Sequence, residues 1–213
     1  MKSNNNYIPA RSSADLFIRI LDVWISLTGM IVLSPLFLLI AVLVKFSSRG
    51  PVIFRQLRVG RNDVDFVLYK FRTMYVRQPQ KQSLTVGSRD KRITAVGYYL
   101  RRFKLDELPQ LYNVLKGEMS IVGPRPELRK FTDLYAEDER VVLQLKPGIT
   151  DNASIYFKNE NALLAEQADP EAYYIKHIMP VKIQLNRHYA EKRTVPKYVN
   201  VIIKTLISLV SRN

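Results

Sequence analysis

Two adjacent carboxylates, Asp106 and Glu107, stand in the run Lys104-Leu105-Asp106-Glu107-Leu108-Pro109. Alone, two acids before a proline mark a helix start: Asp106 suits an N-cap, and both acids favour the positive end of the helix dipole. Their surroundings point to more specific chemistry. Arg101, Arg102 and Lys104 precede the pair within five residues. Arg125 follows between two prolines, and Lys70-Phe71-Arg72 adds two cations from an upstream strand pattern. Carboxylates ringed by cations suit a site where phosphates and a divalent metal meet.

Composition narrows the choice. The 213 residues include no cysteine, which excludes disulfide scaffolds, thiolate zinc sites, iron–sulfur clusters and cysteine nucleophiles. Two histidines, His177 and His188, leave little room for a histidine metal site. At 47% hydrophobic and 24% charged, the chain can bury a core. Its net charge is +14, and residues 51–130 hold most of the excess, with 17 basic against 7 acidic side chains. That middle third reads either as a surface facing an anionic polymer or lipid, or as a pocket for phosphate groups. No helix-turn-helix or RNP-like motif accompanies the charge, so nucleic acid is not the expected partner.

The acids must be positioned by the elements around them, and the first of these is apolar. Val23 through Val44 is 22 residues without a charge, long enough as one helix to cross roughly 33 Å. Both flanks are basic: Lys2, Arg11 and Arg19 before it, then Lys45, Arg49, Arg55 and Arg58 after it. The positive-inside rule keeps both flanks in the cytoplasm, which one straight span cannot satisfy. Ser34-Pro35 lies mid-run, and Pro35 can neither donate to the carbonyl of Ile31 nor fit that turn without a kink. The run predicts a re-entrant hairpin that dips into the bilayer and returns; a kinked transmembrane helix is the alternative.

Behind it, Pro51-Val52-Ile53-Phe54 and Phe66-Val67-Leu68-Tyr69 flank the turn-rich Gly60-Arg61-Asn62-Asp63, predicting a β-hairpin within residues 50–76. Residues 77–90 read as a loop. Helical spacing covers Thr94–Phe103 and Glu107–Lys116, the second with Pro109 in its first turn and Gly117 as its C-terminal cap. Gly123-Pro124-Arg125-Pro126 interrupts, and helical periodicity returns over Glu127–Leu145 before Pro147-Gly148. Lys197–Arg212 is amphipathic, with a narrow polar stripe and a wide apolar face. It fits an interfacial membrane helix or a helix packed on the core or on a second copy, which leaves a homodimer open.

The expected fold is therefore α/β, mostly helical with a short β-hairpin: a compact cytoplasmic catalytic domain on a re-entrant membrane helix-hairpin with amphipathic interfacial helices. Residues 1–48 form the membrane segment, 49–192 the catalytic domain and 193–213 the C-terminal helix.

The ordered set of blocks is more specific than any part. Residues 55–74 (RQLRVGRNDVDFVLYKFRTM), 100–126 (LRRFKLDELPQLYNVLKGEMSIVGPRP) and 146–150 (KPGIT) follow a Ser-Pro-broken apolar hairpin. In that order they resemble the bacterial sugar transferase family, the small monotopic phosphoglycosyl transferases, over roughly residues 15–190. The resemblance implies transfer of a sugar-1-phosphate from a UDP-sugar to a polyprenol (undecaprenyl) phosphate at the bacterial inner membrane, on its cytoplasmic face, with Mg2+. It maps the nucleophile onto Asp106 and a metal-holding or proton-handling partner onto Glu107, both candidate metal ligands. Arg101 and Arg125 match phosphate positions; Lys70, Arg72 and Lys146 are weaker substrate-binding candidates. Two departures stand out. Lys104 replaces a small hydroxyl residue two before the nucleophile, and Asp151-Asn152-Ala153-Ser154 replaces the Gly-initiated block that usually follows KPGIT.

Overall fold

A computed structural model describes residues 12–76 and 90–211. The basic flank residues Lys2 and Arg11, Arg212 at the end of the C-terminal helix, and nearly all of the expected 77–90 loop lie outside the described residues.

The chain opens with two helices, α1 (Ser12–Val32) and α2 (Ser34–Ser47). They are bent by 64° at Leu33. The break falls where the sequence placed it: Pro35 sits in the first turn of α2, and the Ser34 hydroxyl donates to the carbonyl of Ile31 at 2.7 Å. Among the described residues no single helix is long and apolar enough to cross a membrane, whereas this bent pair is by length and composition. The two helices are not detached from the rest. Ile18 of α1 joins the largest core cluster with Phe66, Leu68, Leu111, Val114, Met119 and Tyr198. Ile40 and Val44 of α2 pack with Phe71 and Leu100. Asp22 of α1 is buried, and its Oδ1 accepts from Ser120 Oγ (3.0 Å), Ile121 N (2.8 Å) and Tyr198 OH (2.7 Å). The outer faces are bare: Leu16, Phe17, Ile20, Trp24, Leu27 and Ile31 on α1 are exposed, as are Leu38, Leu39, Val42, Leu43 and Phe46 on α2.

The expected hairpin is β1 (Ile53–Val59) and β2 (Asp65–Phe71), antiparallel with Ile53 opposite Phe71 and Val59 opposite Asp65. Among the described residues one edge of β2 has no strand beside it, and Asn113 covers part of that edge. Its Oδ1 accepts from Tyr69 N (3.1 Å) and its Nδ2 donates to Val67 O (2.7 Å). The side chain is fully buried, so these bonds satisfy backbone groups that would otherwise be stranded. Next come α3 (Ala95–Arg102), capped by Thr94, whose Oγ1 accepts from Gly97 N, and α4 (Gln110–Lys116). Gly117 ends α4 with φ at +85°, the left-handed position that favours glycine.

Two expectations are corrected here. The stretch Glu107–Lys116 is not one helix from its first acid: Leu105–Glu107 forms a 3-10 turn, and Asp106 caps nothing. Glu127–Leu145 is not a continuous helix either. It holds only α5 (Arg129–Thr132) and a 3-10 turn over Glu139–Gln144, because its charged groups are drawn into tertiary pairs such as Arg129–Asp63 and Arg140–Asp63.

The chain then supplies a second, parallel strand pair that the sequence reading did not contain: β3 (Ser120–Val122) beside β4 (Gly148–Thr150). Gly123 and Gly148 permit it. A Cβ on Gly123 would lie 2.3 Å from the carbonyl of Lys146, and one on Gly148 would lie 2.1 Å from Gly123 N. The remainder is helical: α6 (Asn152–Tyr156), α7 (Glu160–Ala165), α8 (Pro170–Tyr173), a π-helical turn (Tyr174–Ile178), α9 (Met179–Glu191) and α10 (Val195–Val210). Phe131, Val142, Leu164, Tyr174, Ile178 and Ile183 form a separate core there. Tyr198 and Val201 of α10 enter the main core, while Ile203, Leu206, Ile207 and Val210 stay exposed. Packed inner face and bare outer face thus coexist on α10.

Candidate active site

Asp106 and Glu107 occupy the 3-10 turn between α3 and α4, reached through Lys104 in a left-handed conformation at φ +58°. A non-glycine residue there is uncommon and mildly strained. The tight turn presents both acids from one point of the backbone rather than from opposite sides of a helix. Both are largely buried, 7% and 8% exposed.

Their environments differ sharply. Glu107 Oε1 accepts from Lys70 Nζ at 2.9 Å and from Arg125 Nη2 at 2.5 Å, and Oε2 accepts from Arg125 Nη1 at 3.3 Å. Lys70 comes from β2 and Arg125 from the loop after β3, so one carboxylate ties three separate elements together. Burial alone would push the Glu107 carboxyl up, but Arg125, Lys70 and Lys104 outweigh it and hold the group well below the usual carboxylate range. Burial lowers the Lys70 ammonium, with Glu107 acting against that shift. Asp106 carries no hydrogen bond or ion pair among the described residues. Burial, and then the neighbouring Glu107 charge, push its carboxyl above the ordinary aspartate value; Lys70, Arg101 and Lys104 oppose them. One acid is a fixed anion and the other an unengaged one. Two adjacent carboxylates driven apart in this way are a common mark of divided catalytic roles.

The structure brings together Asp106, Glu107, Lys70 and Arg125, with Arg101 close enough to feel both acids. It places Arg72 and Lys146 elsewhere. Arg72 is buried at the end of α2, where its Nη2 donates to the carbonyls of Val44 (3.0 Å) and Ser48 (2.7 Å). Lys146 lies at the entrance to β4, in the field of Arg19, Asp22, Arg61 and Arg193 and not of the acid pair.

Two positioning residues escaped the sequence reading. Asp151, buried, accepts the Arg125 backbone N–H on Oδ2 (3.1 Å) and caps α6 through Ser154 N to Oδ1 (2.6 Å). Arg19 donates to the carbonyls of Val114 (2.6 Å) and Leu115 (2.8 Å), closing the C-terminal end of α4 from α1. Local sequence gives no hint of a contact across 95 residues. For Asp151 the one available signal was the departure after KPGIT.

No group of three or more acidic, histidine or cysteine side chains able to hold a metal occurs among the described residues. Mg2+ commonly uses one or two carboxylates, the rest of its shell coming from water and substrate phosphates. Asp106 fits that requirement. Glu107 fits it less well, since its oxygens already serve Lys70 and Arg125.

Residues 13–212 match the model of the bacterial sugar transferase family. The chain belongs to that family. It is 41% identical over 138 residues to the UDP-N-acetylgalactosamine-undecaprenyl-phosphate N-acetylgalactosaminephosphotransferase of Aeromonas hydrophila, covering 63% of this chain and 33% of that one. It is 40% identical over 157 residues to the exopolysaccharide production protein ExoY of Sinorhizobium fredii, covering 67% and 70%. The UDP-glucose:undecaprenyl-phosphate glucose-1-phosphate transferase of Xanthomonas campestris is 35% identical over 214 residues, covering 98% of this chain and 40% of its own. The chain therefore spans well under half of two of these relatives.

Proposed function

We propose that this sugar transferase moves a sugar-1-phosphate from a UDP-sugar to undecaprenyl phosphate through a covalent intermediate on Asp106. The observation that carries the reading is the division of the acid pair: Asp106 unengaged, Glu107 clamped by Lys70 and Arg125. The Asp106 carboxylate attacks the β-phosphorus of the sugar nucleotide. An oxygen–phosphorus bond forms, the bond from that phosphorus to the bridging oxygen breaks, and UMP leaves with its electron pair. An oxygen of undecaprenyl phosphate then attacks the same phosphorus and frees Asp106, giving undecaprenyl diphosphate sugar.

An anionic nucleophile must approach an anionic diphosphate, so the cations matter most. Arg101 and Arg125 reach for the phosphate oxygens, and a guanidinium can grip them bidentately. Glu107 holds Lys70 and Arg125 in place. Mg2+, when bound by Asp106 and the substrate phosphates, would supply charge neutralisation for the departing phosphate. Substrates from two phases have to meet here: the sugar nucleotide is water-soluble and the acceptor is a lipid. The bent helix pair with its exposed apolar faces is read as a re-entrant anchor in the inner membrane, the Asp106 turn lying at headgroup depth on the cytoplasmic side.

The test is release of UMP by the purified full chain from a panel of UDP-sugars, with Mg2+, with and without undecaprenyl phosphate. Acceptor-dependent release lost in Asp106→Asn supports the reading and names the sugar. Undiminished turnover in that variant removes Asp106 as nucleophile.

A further inference from the structure

At the far end of α4 from the acid pair, the chain holds two cations together with no ion-paired anion among the described residues. Arg19 Nη2 and Lys146 Nζ each lie 3.6 Å from the point a Cβ on Gly117 would occupy. Arg19 spends two of its N–H groups on the last carbonyls of α4. Lys146 makes no hydrogen bond or ion pair among the described residues, and burial together with Arg19, Arg61 and Arg193 disfavours its charge, with Asp22 acting against them. The nearby acids are committed. Asp22 accepts three hydrogen bonds in the core, and Asp15 pairs with Arg193. Like charges gathered this way destabilise one another until an anion arrives.

What flanks the pair indicates which anion. Arg19 belongs to the same helix as Leu16, Phe17 and Ile20, which are 61%, 60% and 55% exposed. These continue through Trp24 and Leu27 as an uncovered apolar stripe at helical spacing. A ligand matching both features carries a phosphate beside an acyl chain. We infer that Arg19 and Lys146 form a seat for the phosphodiester of an anionic phospholipid, distinct from the Asp106 turn, with the α1 stripe receiving its acyl chain. This site rests on the membrane placement proposed above, though not on the transfer chemistry. It would clamp α1 and α4 together whenever the protein sits on an anionic leaflet.

The experiment titrates the detergent-solubilised full chain, without sugar nucleotide, with short-chain phosphatidylglycerol, short-chain phosphatidylcholine or inorganic phosphate, and counts bound molecules by native mass spectrometry. One saturable phosphatidylglycerol is expected. Lys146→Gln should weaken it by about fivefold or more, the effect of one cation near an anionic headgroup. Lys146→Arg should retain it and so report that the fold is intact, and Lys176→Gln, an exposed side chain on the π-helical turn, should bind as the native chain does. Equal binding of phosphatidylcholine, equal binding of inorganic phosphate, or undiminished phosphatidylglycerol binding in Lys146→Gln overturns the site. Because no transfer is measured, an inactive but lipid-binding protein would count against the function proposed above and not against this seat.

Discussion

The backbone N–H of Arg125 donates to Asp151 Oδ2 at 3.1 Å, so the arginine that clamps Glu107 is itself held by the residue that opens α6. The parallel pairing of β3 with β4 brings the two loops side by side, and Gly123 N donating to Thr150 O at 3.0 Å locks them. Asp151→Ala removes both the tether and the α6 cap. A lost cap costs about 1 kcal/mol, so the fold survives while Arg125 loosens. The expected result is a rise of several-fold in KM for the sugar nucleotide with a smaller change in kcat, and Asp151→Asn should recover part of it. An unchanged KM in Asp151→Ala would show that Arg125 needs no such support.

The Asp106 carboxyl is raised by burial and by Glu107. A carboxyl whose folded pKa exceeds its unfolded value costs stability once the pH passes the unfolded value and the group must ionise inside the protein. Asp106→Asn should therefore abolish transfer and, at neutral pH, raise the melting temperature. If Asp106 is the nucleophile proposed above, the acid limb of kcat/KM in the native enzyme should fall above the ordinary aspartate range, since protonation silences a carboxylate nucleophile. Calorimetry of the variant and a pH–rate profile check the two halves separately.

Glu107 has the opposite linkage. Its folded pKa lies well below the unfolded value, so its contribution is present above the usual glutamate range and is lost as pH falls through the depressed value. Glu107→Gln leaves the part-buried Lys70 and Arg125 without the carboxylate that pairs them. Breaking a buried pair by removing one partner costs roughly 3–5 kcal/mol. Denaturant unfolding should show a loss of that order at neutral pH, shrinking towards acid. Combining Glu107→Gln with Lys70→Met should recover part of it, because the stranded ammonium is then gone.

Much of this site was legible because its parts are local or chemically loud. The Asp-Glu pair and Arg125 stood out as charges beside prolines and Lys70 as a cation on the expected hairpin, and that hairpin and the Gly117 cap followed from turn residues and alternation. Arg72 shows the limit. Two residues from Lys70 it looks equivalent, yet the strand ends at Phe71 and its guanidinium turns to the last carbonyls of α2. Asn113 standing beside the β2 edge and Arg19 closing α4 depend on contacts across 44 to 96 residues, which no periodicity records. The 127–145 stretch misled for the same reason: its helical spacing was real, but ion pairs with Asp63 and the packing of Val141 and Val142 broke it into turns.

In the membrane placement proposed above, the bend at Leu33 sets which side each end of the α1–α2 pair occupies. Pro35 supplies no N–H to the preceding turn, the Ser34 hydroxyl takes up the carbonyl of Ile31, and the two helices diverge by 64°. A straightened helix over both segments would have length enough to cross. The chain has no cysteine, so single cysteines placed at Ser13 and at Arg49, both exposed, report on topology without background. In a re-entrant hairpin, an impermeant maleimide should label both in inverted vesicles and neither in spheroplasts. Replacing Ser34 and Pro35 together by alanine restores a helix-compatible backbone and should move one of the two cysteines to the other side in part of the population, with activity falling as Asp106 leaves headgroup depth. Labelling of the native hairpin's two ends from opposite sides would instead identify a kinked span.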